Sequence, residues 1–249
     1  MAPSANSSPV HREQDLLGQT VLVIGGSSGI GLETARLARA RGAGIILTAR
    51  DLHRVGLELG ASIAAFDATD FDRLERFCDA LPTPIDHLLV TGPGPCSAPL
   101  AEFDLDVARR DIDAYLLLPL QVARDAASKI RPGGTLLFMG GTGGGRAAMG
   151  LSLIAALTAA LPALTKAHAL EIAPVRVNLI AAGLVDTRLP ASLLSDEIGE
   201  RREQLRATLP IGRVAGPADI AALAVHLMTN TAVTGATFDI DGGQQLVEG

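Results

Sequence analysis

The residues best placed to do chemistry lie in one stretch, Thr20-Val21-Leu22-Val23-Ile24-Gly25-Gly26-Ser27-Ser28-Gly29-Ile30-Gly31. Its first five residues, four of them apolar, read as a buried parallel strand. A glycine turn follows, and then a helical pattern through Leu32, Ala35, Arg36 and Arg39. The spacing G-x-x-x-G-x-G puts glycine where a strand turns tightly into a helix. Gly25 permits the bend, Gly29 lets backbone approach a ligand, and Gly31 lets helix pack on strand. The free N–H groups expected at the helix start, with the positive end of the helix dipole, suit a pyrophosphate. The order strand, glycines, helix is what separates such a cradle from a plain surface turn.

The elements that would surround this cradle follow along the chain. Gly44 to Thr48 reads as a second strand, ending at Ala49-Arg50-Asp51. An acid at this strand end would bond a ribose 2′-hydroxyl and favour NAD. Here Ala49 is followed by Arg50, whose guanidinium suits a 2′-phosphate and favours NADP(H); a solvated surface arginine is the plainer reading. Ser62 to Phe66 reads as a third strand, closed by Asp67-Ala68-Thr69-Asp70. Asp67 is placed to accept from an adenine amino group, and Asp70 is equally suited to cap the helix through Leu74 and Phe77. A fourth strand, His87 to Thr91, runs into Gly92-Pro93-Gly94-Pro95, which is either a ligand loop at a strand's carboxyl end or a stiff turn.

Ala101 to Ile130 is a long amphipathic segment, and Gly134 to Met139 a fifth strand closed by Gly140-Gly141-Thr142-Gly143-Gly144-Gly145-Arg146. Leu151 to Ile172 carries no charge before Lys166, which predicts a helix buried in the core or against another subunit. Pro162 removes a helix hydrogen bond and crowds the carbonyl of Thr158, so a kink or break is expected there. Val175 to Ile180 reads as a sixth strand, residues 190–210 as a helical, polar, mobile lid, Pro217 to Met228 as a helix, and Thr237 to Ile240 as a last strand. Strands alternating with helices predict a doubly wound α/β fold, a parallel sheet covered on both faces.

The totals agree with one domain. A chain of 249 residues with 48% apolar residues can bury a large core. A net charge of −6 without a long basic run argues against nucleic acid or an anionic membrane as partner. Cys78 and Cys96 match no disulfide framework and no metal spacing, as expected of free thiols in a reducing cytoplasm. Residues 1–16 read as a mobile tail and 17–249 as the domain.

With these elements placed, the chain resembles the short-chain dehydrogenase/reductase family over nearly all its length. The resemblance is carried by Gly25 to Gly31, Asp67-Ala68-Thr69, Arg176-Val177-Asn178, and Ala182-Gly183-Leu184-Val185-Asp186-Thr187, where alanine stands for the family's proline. Ile211-Gly212-Arg213, Gly216-Pro217-Ala218-Asp219-Ile220 and Asp241-Gly242-Gly243 complete it. It implies a Rossmann-type sheet of about seven strands, a nicotinamide cofactor, and a homodimer or homotetramer with the Leu151–Ile172 helix at an interface. Carried onto this chain, the cofactor residues are Gly25, Ser27, Ser28, Gly29, Ile30, Gly31, Arg50, Asp67, Ala68, Thr91, Gly92, Gly183, Val185 and Thr187.

The resemblance fails at the chemistry. The family uses an asparagine, a serine, and a tyrosine followed four residues later by a lysine. By motif those positions are Asp113, Gly141, Ile154 and Thr158, and no Tyr-x-x-x-Lys exists anywhere in the sequence. Isoleucine cannot exchange a proton, and threonine cannot supply the lysine's charge. The only tyrosine, Tyr115, lies elsewhere in sequence. Substitutes within reach are Thr142 and Ser152, then Asp113 and His168, and each has a plain structural reading as well.

Three functions follow from this conflict. The first is an NADP(H)-dependent oxidoreductase acting on a small-molecule carbonyl, alcohol or imine with an atypical proton donor. The second is an inactive cofactor-binding protein that serves as a regulator or partner subunit. The third is different chemistry on the same fold.

Overall fold

The computed structural model describes residues 15–50, 58–82, 84–145, 148–187 and 203–247. Its centre is a seven-stranded sheet of order β3-β2-β1-β4-β5-β6-β7, every pairing parallel. The strands are β1 (Thr20–Ile24), β2 (Gly44–Ala49), β3 (Ser62–Ala65), β4 (Ile85–Val90), β5 (Ile130–Gly141), β6 (Arg176–Ala182) and β7 (Thr237–Ile240). The helices are α1 (Gly29–Ala40), α2 (Phe71–Asp79), α3 (Leu105–Ile112), α4 (Leu118–Ala126), α5 (Ser152–Glu171) and α6 (Pro217–Thr229). A π-helical turn, Asp113–Leu117, joins α3 to α4.

Strand periodicity divides the core in two. Val21 and Val23 of β1 face one side, where Ala35 and Ala38 of α1 and Ile220 and Ala224 of α6 close over them. Leu22 and Ile24 face the other side and pack with Leu74 of α2, Val122 of α4 and Leu161 of α5. Each fully buried leucine contributes about 2 kcal/mol of hydrophobic stabilisation before entropy is counted. Central strands are buried on both faces, which is why β4 and β6 are buried at every position.

Several family-like motifs prove to be joints of this frame. The guanidinium of Arg176, at the start of β6, donates to the carbonyls of Leu227, Met228 and Asn230, each at 2.8 Å. These are orphan carbonyls at the C-terminal end of α6, where a cation also meets the negative end of the dipole. Asn178 holds the loop before β7, donating to the Val233 carbonyl at 3.0 Å and accepting from the Ala236 N–H at 3.1 Å. Asp219 accepts from Gly216 N–H at the start of α6 and pairs with both terminal nitrogens of Arg213 at 2.6 and 2.8 Å.

Some expectations are corrected. Asp15 pairs with Arg41 at 2.7 Å and Leu16 is fully buried, so the ordered domain includes both, earlier than a boundary at 17. Helix α5 runs unbroken through Pro162; its buried stripe of Leu157, Thr158, Leu161, Thr165 and His168 holds it against the sheet on both sides of the missing N–H. By length and composition α5 could cross a membrane, yet that stripe packs on a sheet. The segment expected to be one amphipathic stretch to Ile130 is split by the π turn, and Ile130 already begins β5. Most of the expected lid, with the whole of 1–14, lies outside the described residues; residues 203–208 are helical, and Leu205 and Leu209 bury against Val214.

Candidate functional site

The sheet order reverses at β1 and β4, and the loops leaving their carboxyl ends part to form a crevice. Gly25 begins the first loop with φ +87°, and a Cβ there would lie 2.1 Å from the Thr91 carbonyl oxygen of the second. Gly31 is equally constrained, since its Cβ would lie 2.4 Å from the Gly25 carbonyl oxygen. Both glycines therefore draw turn, helix and strand together. Gly29, at φ +53°, faces outward, and its nearest neighbour would be the Thr187 methyl at 3.3 Å. The N–H groups of Ser28, Gly29 and Ile30 have no partner among the described residues, and Ser28 makes no side-chain cap. Unpaired donors at a helix start with open backbone before them fit the pyrophosphate of a dinucleotide.

Around this cradle the remaining cofactor candidates converge at the carboxyl ends of β2, β3, β4 and β6. Arg50 is exposed at the end of β2 and makes no ion pair among the described residues. Asp67, past β3, accepts from the Thr69 N–H at 3.0 Å and its hydroxyl at 2.8 Å. These two bonds, with a smaller contribution from Arg50, hold its carboxyl below the usual carboxylate range. Ala68 is half-buried beside it, and Asp70 caps α2 by accepting from Arg73 N–H. Thr91 is fixed by its N–H to the Ile24 carbonyl at 2.9 Å, while Gly92 faces open space.

The loop after β6 links cradle to cavity. Gly183 is pressed against Asp241, where a Cβ would come 2.6 Å from the Asp241 Cβ, and Leu184 N–H donates to Gln244 at 2.9 Å. Val185 bridges to Ala215, and Thr187 lies over Gly29. At its Gly183 end this loop borders a cavity of about 220 Å³, walled by Gly141 and Thr142 after β5, Ile154 and Thr158 of α5, and Tyr115 of the π turn.

Three of the four positions assigned by motif therefore meet in one cavity, as Gly141, Ile154 and Thr158. The fourth, Asp113, does not line it; residues two apart on a helix do not share a face, and here Tyr115 takes the wall. Of the two substitute donors, Thr142 lines the cavity, whereas Ser152 is exposed at the first turn of α5 and away from it. His168 is buried beside Phe138, 5.8 Å between ring centroids, with its pKa lowered by burial, and it is likewise not a cavity residue. Thr158 spends its hydroxyl proton on the Ile154 carbonyl at 2.7 Å.

Sequence reasoning passed over Tyr115. Its phenol is pushed up to about 12, chiefly by burial and secondarily by the Asp111 carboxylate. The glycines after β5 explain the altered wall: a Cβ on Gly144 would lie 3.0 Å from the Ala159 nitrogen, so this loop lies directly on α5. A larger depression of about 540 Å³ has Arg213, Asp219, Asp239 and Asp241 in its wall. Each of these is already engaged in a cap, an ion pair or, for Asp239, a hydrogen bond from the Gln245 amide, so it is a joint of the fold. No cluster of potential metal ligands occurs among the described residues.

Comparison with known proteins agrees with this geometry. A family model described as Enoyl-(Acyl carrier protein) reductase matches residues 24–245. The short-chain dehydrogenase/reductase ATR9 of Stachybotrys chlorohalonatus is 29% identical over 248 residues, covering 91% of this chain and 96% of that protein. The cyclic-di-GMP-binding biofilm dispersal mediator protein of Escherichia coli is 29% identical over 238 residues, covering 90% and 96%. A small-chain dehydrogenase solved in complex with NADPH superposes with a TM-score of 0.79 at 25% identity, covering 92% of this chain and 99% of that one. This chain thus belongs to the short-chain dehydrogenase/reductase family of NAD(P)-dependent oxidoreductases.

Proposed function

We propose that the chain is an NADP(H)-dependent oxidoreductase that acts on a small-molecule carbonyl, alcohol or imine with an atypical proton donor. One observation carries the reading: the open N–H groups of α1 and the cavity are joined by a single loop, from Thr187 over Gly29 to Gly183 at the cavity wall. A nicotinamide cofactor, when bound, supplies the hydride. The residues of this chain hold its pyrophosphate at Gly29 and Ile30 and its adenine side near Asp67 and Ala68, and Arg50 takes a 2′-phosphate. Among the described residues the cavity wall carries no formal charge, so a carbonyl is oriented there by neutral hydroxyls and amides, those of Tyr115, Thr142, Gln244 and Gln245 among them. An imine that arrives already protonated needs no donor at all.

Titration calorimetry with NADPH and NADH tests the cofactor half. NADPH is expected to bind more tightly, by about tenfold for one exposed guanidinium facing phosphate, and Arg50→Ala is expected to erase the difference. Equal affinity in the parent would remove the NADP(H) preference, and no binding of either would end the oxidoreductase reading.

A second reading has specific support. At none of the four motif positions, Asp113, Gly141, Ile154 and Thr158, does the family's catalytic residue stand, and one relative bears a name for binding a cyclic dinucleotide. An inactive NADP(H)-binding regulator or partner subunit would bind cofactor yet leave NADPH unoxidised with every carbonyl and imine offered. The exposed, apolar outer face of α5, with Leu170 83% exposed, supports a homodimer or homotetramer. Light scattering is expected to show a mass above one chain.

A further inference from the structure

The cavity contains one group that can give up a proton and that no motif marks. Among the described residues, Tyr115 is the only one in its wall with an ionisable side chain. It is carried by the π turn Asp113–Leu117, where the Leu118 N–H closes a wide turn on the Asp113 carbonyl. Such turns insert a residue and re-aim a side chain, and they recur at functional sites. The ring packs on the core, which fixes its direction. Its hydroxyl makes no hydrogen bond to any described residue, yet it is not sealed from solvent. A phenol with a fixed ring, an unused O–H and an otherwise neutral cavity is arranged to donate to something that enters.

We propose that Tyr115 is the proton donor of this site, hydrogen-bonding the carbonyl oxygen of a substrate in the cavity it shares with Gly141 and Ile154. This inference rests on the oxidoreductase reading above. In reduction, hydride from a reduced nicotinamide forms the new C–H bond, and the carbonyl π pair moves onto oxygen. The Tyr115 Oη–H bond breaks and its proton joins that oxygen. The phenolate left behind recovers a proton from water entering the cavity. No further oxidant or reductant is needed.

The surroundings set the protonation state from which the phenol starts. Among the described residues Asp111 is the one charge acting on the phenol, and it disfavours phenolate as burial does. Among the described residues, the rest of the cavity wall, from Pro95 to Gln245, carries no ionisable side chain. Cys96 lies next to Pro95, exposed, with its N–H on the Asp111 carboxylate at 2.7 Å. At neutral pH the phenol is intact and ready for reduction. Alcohol oxidation needs phenolate, about one part in 10⁵ at pH 7. Oxidation is therefore expected to rise about tenfold per pH unit above neutrality, while reduction stays flat.

The composition makes this testable by direct observation, because the chain has one tyrosine and no tryptophan. With tyrosine labelled at 13Cζ, the protein gives a single phenol resonance. Titrating in cyclohexanone, and then acetone, is expected to move it saturably, and Tyr115→Phe is expected to keep fold and NADPH affinity. Ketone reduction by Tyr115→Phe is expected to fall about 10²-fold or more. A resonance that neither ketone moves overturns the proposal. So does a Tyr115→Phe enzyme as fast as the parent, and Thr142→Val then tests the neighbouring hydroxyl. If the resonance saturates but the parent oxidises no NADPH with any ketone, the oxidoreductase reading and the proton step both fall, and Tyr115 is left as a carbonyl-binding group.

Discussion

Replacing Arg176 by methionine probes how the frame behind the site is held. The side chain is 7% exposed, and its guanidinium meets three carbonyls from the end of α6 and beyond, each at 2.8 Å. It also reaches the Thr135 hydroxyl and the Gly133 carbonyl. Hydrogen bonds to a charged group are worth about 1.5–3 kcal/mol each. Part of this gain is offset by desolvating the cation, the same burial that lowers the Arg176 pKa. Methionine fills the volume but leaves the carbonyls of Leu227 and Met228 without donors, at about 1–3 kcal/mol for each buried orphan. The net cost is expected to be about 3–5 kcal/mol, or about 6–20 °C in melting temperature for a chain of this size. Lysine keeps the charge without the fork, so Arg176→Lys should fall between methionine and the parent. Urea unfolding, followed by far-ultraviolet circular dichroism, measures both variants. NADPH affinity should not change, because the cradle lies at the other end of the strands, about 20 Å along β6. A methionine variant within 1 kcal/mol of the parent would refute this account of the Arg176 motif.

Two further perturbations bear on the site and its support. Gly31→Ala places a Cβ 2.4 Å from the Gly25 carbonyl oxygen, a backbone atom that moves only with the turn; calorimetry should show NADPH binding weakened more than tenfold and the fold destabilised by about 1–3 kcal/mol. His87 is held down to about 3 by burial first, then by Arg176 and Arg131. Its folded pKa lies below its unfolded value of about 6.5, so the unfolded chain binds more protons, and stability present at neutral pH is lost as pH falls. Unfolding free energy is expected to decline by about 1.4 kcal/mol per unit from pH 6 towards 3, and His87→Gln should flatten that slope.

The sequence alone determined the doubly wound sheet and the glycine turn between β1 and α1, because both depend on local rules. Apolar runs of strand length, glycines at a strand-to-helix turn and an arginine at the next strand end are adjacent in the chain, and their spacing carries the geometry. The last strand, Thr237–Ile240, was legible to the residue for the same reason, being bounded by glycine turns. Pro162 shows where local rules stop: proline predicts a break, but the packing of Leu157, Leu161 and Thr165 on the sheet outweighs one lost hydrogen bond. The cavity wall is the clearest case. Gly141, Ile154 and Thr158 could be placed by motif, yet Tyr115 could not, since its direction depends on one extra residue in a π turn that no periodicity marks. Ser152, two residues before Ile154, looked equally near in sequence but turns to solvent at the helix start. What only the tertiary structure decided is which side chains from separate elements share one cavity, because helix phase and close packing, rather than chain distance, set that.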